Sequence, residues 1–162
     1  MSQNRIYLCL AHMSGNEQKF IQEAFDTNWV APLGPNVDAF ETELENYVSE
    51  NKKVVALTSG TAAIHLALVA CGVKAGDEVI TQSFTFCASA NPITYLGATP
   101  IFIDSERDTW NIDPQLLEEA IKDRIEKTGK TPKAIITVSI YGMPCKIDEI
   151  AEIANRYDIT II

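Results

Sequence analysis

From Lys53 onward, short apolar, β-branched runs alternate with stretches of helical periodicity, and this alternation leaves few folds open. The runs are Lys53-Val54-Val55-Ala56-Leu57, Glu78 to Thr81, Pro100 to Ile103, Lys133-Ala134-Ile135-Ile136-Thr137-Val138 and Ile159 to Ile162. Strands this continuously apolar belong to a parallel sheet covered on both faces. Between them, Ala62 to Cys71 is apolar nearly all round and predicts a helix buried on most faces. Thr85 to Tyr95 predicts a helix interrupted by Pro92, and Ile147 to about Arg156 predicts another. Asp113-Pro114 opens a further helix, with a carboxylate to cap it and a proline at its first position. The expected fold is therefore α/β, a mostly parallel sheet flanked by helices. Upstream, Glu17 to Thr27 carries Phe20, Ile21, Ala24 and Phe25 on one helical face, and Val37 to Ser49 repeats the pattern. The loop between these helices, NWVAPLGPN, holds bulky apolar residues that need something to pack on.

The chain has 162 residues, 46% of them hydrophobic, enough for one sizeable core. A formal net charge of −9 without a basic cluster argues against a nucleic-acid partner or an anionic membrane surface. Cys9, Cys71, Cys87 and Cys145 lie far apart with no CxxC pair, so they read as reduced thiols, and no metal site is expected. The opening apolar run is too short for a signal peptide or a membrane span, which fits a cytoplasmic protein.

The turn at Ser59-Gly60-Thr61 joins an apolar run to an apolar helix, so it is expected inside the protein with backbone N–H groups in need of acceptors. A glycine there permits close backbone approach, the helix start adds positive potential, and Thr61 adds a hydroxyl donor. Both a bound phosphate and a simple capped turn satisfy this pattern. The absence of GxGxxG and GxxxxGK[ST] removes the usual dinucleotide and nucleoside-triphosphate readings. Gln82-Ser83-Phe84-Thr85-Phe86 follows the next strand, so in a parallel sheet its rings emerge at the same carboxyl edge and could stack on a planar cofactor. Composition alone would place Phe84 and Phe86 in the core.

SGTAAIHLAL, GDEVITQSFTFCASANPITYLGATPIFID, DTWNIDPQLLEEAI and VSIYGMPCKIDEIAEIA occur in an order that resembles the N-terminal part of the DegT/DnrJ/EryC1/StrS family of sugar aminotransferases. The resemblance implies the aspartate-aminotransferase fold (fold type I), a pyridoxal 5′-phosphate cofactor and a homodimer. It implies that residues 1–52 are N-terminal helices and a loop packing on the large domain, and that 53–162 is the first part of that cofactor-binding domain. Ser59, Gly60, Thr61 and Ala62 would cradle the cofactor phosphate, with N–H groups of Thr61 and Ala62 and the Thr61 hydroxyl as donors, and Phe86 would stack on the pyridine ring. Glutamate would give its amino group to a nucleotide-linked 4-keto-6-deoxy sugar for surface polysaccharide. NWVAPLGPN and FIDSERDTWNIDP most resemble the branch acting on a UDP-linked N-acetylhexosamine.

The family's Schiff-base Lys and the Asp that pairs with the ring nitrogen fall beyond Ile162, where the sequence stops inside an apolar strand. The segment by itself is expected to be inactive, with no catalytic residue of its own, and to self-associate. Lys146 and the other lysines read as solvated surface charges. Asn28, Trp29 and Tyr141 are candidate substrate contacts. Trp29 serves equally to pack the N-terminal helices, and Tyr141 to pack its loop. His65 reads as a core histidine and Asp104 as a turn cap. A non-catalytic binding or regulatory module, or a sugar dehydratase of the same fold, stands as the alternative to an aminotransferase.

Overall fold

A computed structural model describes residues 5, 7, 11–48 and 51–162; Cys9 and Ser49 lie outside them. The chain divides into two compact units, Met1–Ala56 and Leu57–Ile162.

In the first unit, α1 spans Glu17–Asp26 and α2 spans Pro35–Val48. Between them Asn28 adopts a left-handed conformation, φ 60°, and the Trp29 N–H turns back to the Ala24 carbonyl at 2.8 Å. The run at Lys53–Leu57, expected as a buried strand, forms none, and its Val55 is 62% exposed. Its backbone has no strand partner among the described residues. Instead the N–H groups of Val54 and Ala56 donate to the carboxylates of Glu45 and Glu41 on α2, at 3.1 and 2.7 Å. Those bonds, the Val54 one first and the Lys53 ammonium next, hold the Glu45 carboxyl below its ordinary pKa.

In the second unit, β1 (Glu78–Gln82), β2 (Thr99–Ile103), β3 (Ala134–Ile136) and β4 (Thr160–Ile161) form one parallel sheet in the order β2-β1-β3-β4. Ile80 pairs with Ile101 on one side and Ile135 on the other, and Ile135 pairs in turn with Ile161. Alternate residues of β1 and β3 feed two cores. Ile80 and Ile135 face a cluster with Leu117 and Ile121 of α5 (Pro114–Thr128) and Ile150 and Ile153 of α6 (Ile147–Arg156). Val79, Ala134 and Ile136 face Leu68 of α3 (Gly60–Ala70) and Ile93 of α4 (Asn91–Tyr95). Burial on both faces explains why these strands read as unbroken apolar runs.

Asp113 caps α5 as its sequence predicts, accepting from the N–H groups of Gln115 and Leu116, and Gly129 ends it in the left-handed region at φ 70°. Two expectations need correction. The stretch expected as one helix interrupted by Pro92 is a 3-10 turn, Cys87–Ser89, followed by α4, and Pro92 lies in the first turn of α4, where its missing N–H costs nothing. Helix α3, expected to be buried on most faces, buries Leu68 alone, while Leu66 and Val69 are about half exposed. Its apolar character exceeds what this unit covers.

Candidate active site

The strand order places β1 between β2 and β3, so the loops leaving their carboxyl ends, at 83–86, 104–113 and 137–143, are neighbours. This is the edge at which open parallel sheets bind ligands.

The Ser59 turn is exposed rather than internal. Ser59 is the N-cap of α3, and its Oγ accepts from the Ala62 N–H at 3.2 Å. The family resemblance implies the Ala62 N–H as a phosphate donor, but Ser59 Oγ takes it here. Among the described residues no hydrogen bond takes up the N–H groups of Gly60 and Thr61, and a Cβ built on Gly60 would meet nothing within 4 Å. Gly60 therefore leaves open space before two free amides at the positive end of an eleven-residue helix, with the Thr61 hydroxyl beside them. This donor set fits a phosphate. The 3-10 turn that follows Phe86 packs against α3, and Phe86 itself is 76% exposed. Neither Phe86 nor Phe84 is core, contrary to what composition alone suggests, because the chain leaves the sheet at Ser83 before either ring.

The loops after β1, β2 and β3 meet through aromatic edges. Phe84 packs edge-on against Trp110 at 6.1 Å and against Tyr141 at 6.4 Å between ring centroids. With Ile140, Met143, Thr109 and Asp108 these rings line an open apolar cavity of about 450 Å³. Trp110 and Tyr141 both sit in the left-handed region, at φ 62° and φ 50°.

Buried polar side chains hold these loops. Gln82, fully buried, donates from Nε2 to the Phe84 carbonyl at 2.7 Å and accepts at Oε1 from the Ile112 N–H at 3.2 Å. Asn111, also fully buried, accepts at Oδ1 from the Ile140 N–H at 2.8 Å and donates from Nδ2 to the Met143 carbonyl at 2.9 Å. The Glu106 carboxylate accepts from the Thr109 hydroxyl and from the N–H groups of Asp108 and Thr109, at 2.6 and 2.9 Å, with Lys146 Nζ 3.4 Å away. None of these was singled out from the sequence. The available signal was a lone polar residue beside apolar ones, as at Gln82 after Val79-Ile80 and Asn111 before Ile112. Lys146, read as solvated, is instead paired with Asp108 and Glu106, which raises its pKa and makes it a poor nucleophile.

Hydrogen bonding from Thr109 first, then from the Asp108 and Thr109 N–H groups, pulls the Glu106 pKa down to about 2 against the cost of burial. A depressed carboxylate pKa stabilises the fold fully above the unfolded-state value and loses that contribution as pH falls through the folded one. Glu106→Gln should therefore unfold at lower urea than the parent at pH 7, and the gap should close between about pH 4.5 and pH 2. Urea midpoints measured across that window check this; a gap independent of pH would show that the charge is not what matters.

The other sequence candidates are ordinary. His65 is half-buried and packs edge-on against Tyr95 at 5.6 Å. Asp104 accepts from the Ser105 N–H at 2.8 Å as a turn cap. In the first unit Trp29 packs on Gly34, where an added Cβ would come within 3.0 Å of the indole, and lines a cavity of about 270 Å³ with Ala24, Leu33 and Pro35. The described residues contain no cluster of His, Cys, Asp and Glu able to hold a metal ion, and no helix among them is long and apolar enough to cross a membrane.

The second unit carries a parallel sheet, a free helix start at Gly60 and an exposed Phe86 ring after β1, although among the described residues no strand precedes the Ser59 turn, and the family model for DegT/DnrJ/EryC1/StrS aminotransferases matches residues 12–162. The chain belongs to this family. Its members bind pyridoxal 5′-phosphate. EpsN of Bacillus subtilis, provisionally named a pyridoxal phosphate-dependent aminotransferase, is 52% identical over 98% of this chain, and GDP-perosamine synthase of Caulobacter vibrioides is 40% identical over the same share. The chain spans 40% of the length of each. Among solved structures, NtdA of Bacillus subtilis with bound cofactor PMP superposes with a TM-score of 0.79 at 31% identity, over 92% of this chain and 33% of that one. The fold is thus that of the fold type I aminotransferases.

Proposed function

We propose that this chain is the N-terminal, cofactor-binding part of an aminotransferase that moves an amino group from glutamate to a nucleotide-linked 4-keto-6-deoxy sugar for surface polysaccharide. The observation that carries the reading is the pair of free N–H groups at Gly60 and Thr61 before open space, on a helix packed against the turn that follows the exposed Phe86. Bound pyridoxal phosphate supplies the electron sink that amino transfer needs. Gly60 and Thr61 amides and the Thr61 hydroxyl hold its phosphate, with Ser59 fixing the turn, and the Phe86 ring covers the pyridine face. The place of Ala62 in the cradle is structural: its amide ties down Ser59. Tyr141, exposed beside the apolar cavity, faces the sugar nucleotide, and Asn28 and Trp29 are carried as substrate groups by the family resemblance. The anchoring lysine lies outside these 162 residues, so the segment alone is inactive. The exposed Leu66 and Val69 on α3 are in keeping with a homodimer.

The experiment is amino transfer from glutamate by the full-length protein, offered UDP-, dTDP- and GDP-linked 4-keto-6-deoxy sugars. The UDP-linked N-acetylhexosamine is the expected acceptor. The 40% identity to a GDP-perosamine synthase favours a GDP-linked acceptor as the second reading. Preference for GDP or dTDP would move the nucleotide and keep the reaction, whereas no transfer to any keto sugar would sink it. In the same protein Phe86→Ala should weaken cofactor retention by about 0.5–1.5 kcal/mol, the value of an aromatic pair, and Thr61→Val should remove one phosphate donor. Retention unchanged in both variants, measured by dialysis and absorbance, would remove these residues from the site.

A further inference from the structure

We infer that Asn111 is a positioning residue whose buried carboxamide fixes the turn presenting Tyr141, and that through Tyr141 it sets the affinity for the keto sugar. Tyr141 lies at φ 50°, ψ 25°, a conformation uncommon for a bulky side chain, which persists only where its surroundings over-determine it. Packing of the ring does not supply that constraint, since Tyr141 is 70% exposed. The constraint comes from the flanking backbone, where the Gly142 and Met143 N–H groups close the turn onto the Ser139 and Ile140 carbonyls at 3.0 and 2.9 Å and Asn111 ties the closed turn to its neighbour. Asn111 takes the Ile140 N–H just before Tyr141 and reaches the Met143 carbonyl just after it, while its Nδ2 also reaches Thr109 Oγ1 at 3.2 Å. Among the described residues no other side chain hydrogen-bonds the backbone of 139–143.

The same residue joins two loops. Trp110, its chain neighbour, is also left-handed, so the two rings that flank Phe84 around the apolar cavity are carried by backbone turns meeting at one amide. A carboxamide suits this task because it accepts and donates at once and carries no charge into a site with no exposure. Strain held by a buried group at a sheet's ligand edge, with the strained side chain left in solvent, is the pattern of a contact built for a ligand. The inference rests on the aminotransferase reading only for the nature of that ligand.

The test uses the full-length holoenzyme. Asn111→Ser removes both bonds; Asn111→Asp keeps the acceptor for Ile140 and loses the donor to Met143. Asn111→Ser should raise KM for the keto sugar about tenfold with kcat changed less than about twofold, and Asn111→Asp, which sets a buried carboxylate against the Met143 carbonyl, should lose at least as much. In a Tyr141→Ala background, Asn111→Ser should add less than about twofold, because the path through Tyr141 is gone. Incorporated 3-fluorotyrosine, with the Tyr141 resonance assigned from Tyr141→Phe, should show that resonance shifted or split in Asn111→Ser. Equal losses in both backgrounds, an unchanged KM, or an unmoved Tyr141 resonance would each overturn the inference. If the parent transfers no amino group, the aminotransferase reading falls, and the resonance alone then decides whether Asn111 positions Tyr141.

Discussion

Ile135→Ala should destabilise the chain by about 2–5 kcal/mol, while Val55→Ala should stay within about 0.5 kcal/mol of the parent. Both residues are β-branched and both stand in runs that read alike in the sequence. Ile135 is fully buried at the centre of the sheet, between Ile80 and Ile161, and packs in the cluster that α5 and α6 cover. Removing its side-chain atoms forfeits their transfer energy and leaves a cavity that a parallel strand, bonded on both sides, cannot relax to fill. Against a total of about 5–15 kcal/mol for a typical domain this is a large fraction. Val55 is exposed on a segment held by backbone bonds to Glu41 and Glu45, which the substitution leaves in place. Urea unfolding of the two variants measures the contrast. A Val55→Ala loss as large as that of Ile135→Ala would restore the buried strand at Lys53–Leu57.

The difference between those two runs marks where sequence reading stops. Periodicity and β-branching report that a segment can be a strand, but a strand also needs a hydrogen-bonding neighbour, and pairing is non-local. At β1, β3 and α5 local and non-local terms agree: unbroken apolar runs lie between paired strands, and Asp113-Pro114 caps a helix whose Leu117 and Ile121 reach the core. At Lys53–Leu57 they part, because the two N–H groups find carboxylates on α2 sooner than a strand. Helix α3 shows the same limit from the other side. Its composition announces burial, and burial depends on what else packs there.

The candidate site divides along similar lines. At the Ser59-Gly60-Thr61 turn and Phe86 the residue types carry the expected chemistry, and the structure shows a capped helix start and an exposed ring after a strand. Which amides remain free was not legible: Ser59 Oγ could reach Ala62 or leave it open, and only the cap geometry decides that Gly60 and Thr61 keep their N–H groups. Gln82, Glu106 and Asn111 were hidden for a plainer reason. Each acts on backbone groups of a neighbouring segment, so its role is invisible until β1, β2 and β3 are laid side by side.

Gln82→Leu should cost about 1–4 kcal/mol and loosen the aromatic wall at the same time. Leucine matches the volume of glutamine closely enough to fill the site, so the loss comes from the two groups left without partners, the Ile112 N–H and the Phe84 carbonyl. The buried Ile112 N–H stranded in this way costs about 1–3 kcal/mol, and the Phe84 carbonyl, on an exposed residue, costs less. Because those groups belong to the loops that carry Phe84 and Trp110, the near-ultraviolet circular dichroism of the edge-on pair should weaken along with the urea midpoint. Gln82→Glu separates hydrogen bonding from shape. A carboxylate at this fully buried position has lost its donor and is poorly solvated, so its pKa in the folded state rises above the unfolded value. The folded state then holds a proton that the unfolded state releases, so stability is fully present below the unfolded pKa and is lost as pH rises from there through the raised folded pKa. When protonated, the same side chain can again donate to Phe84 and accept from Ile112. Gln82→Glu should therefore be strongly destabilised at pH 7 and recover toward the parent as pH is lowered to about 5, a direction opposite to that of Glu106. Urea midpoints for Gln82→Glu, Glu106→Gln and the parent at several pH values read this directly. A Gln82→Glu protein as stable as the parent at pH 7 would mean that water reaches Gln82, and that its two hydrogen bonds do not hold these loops.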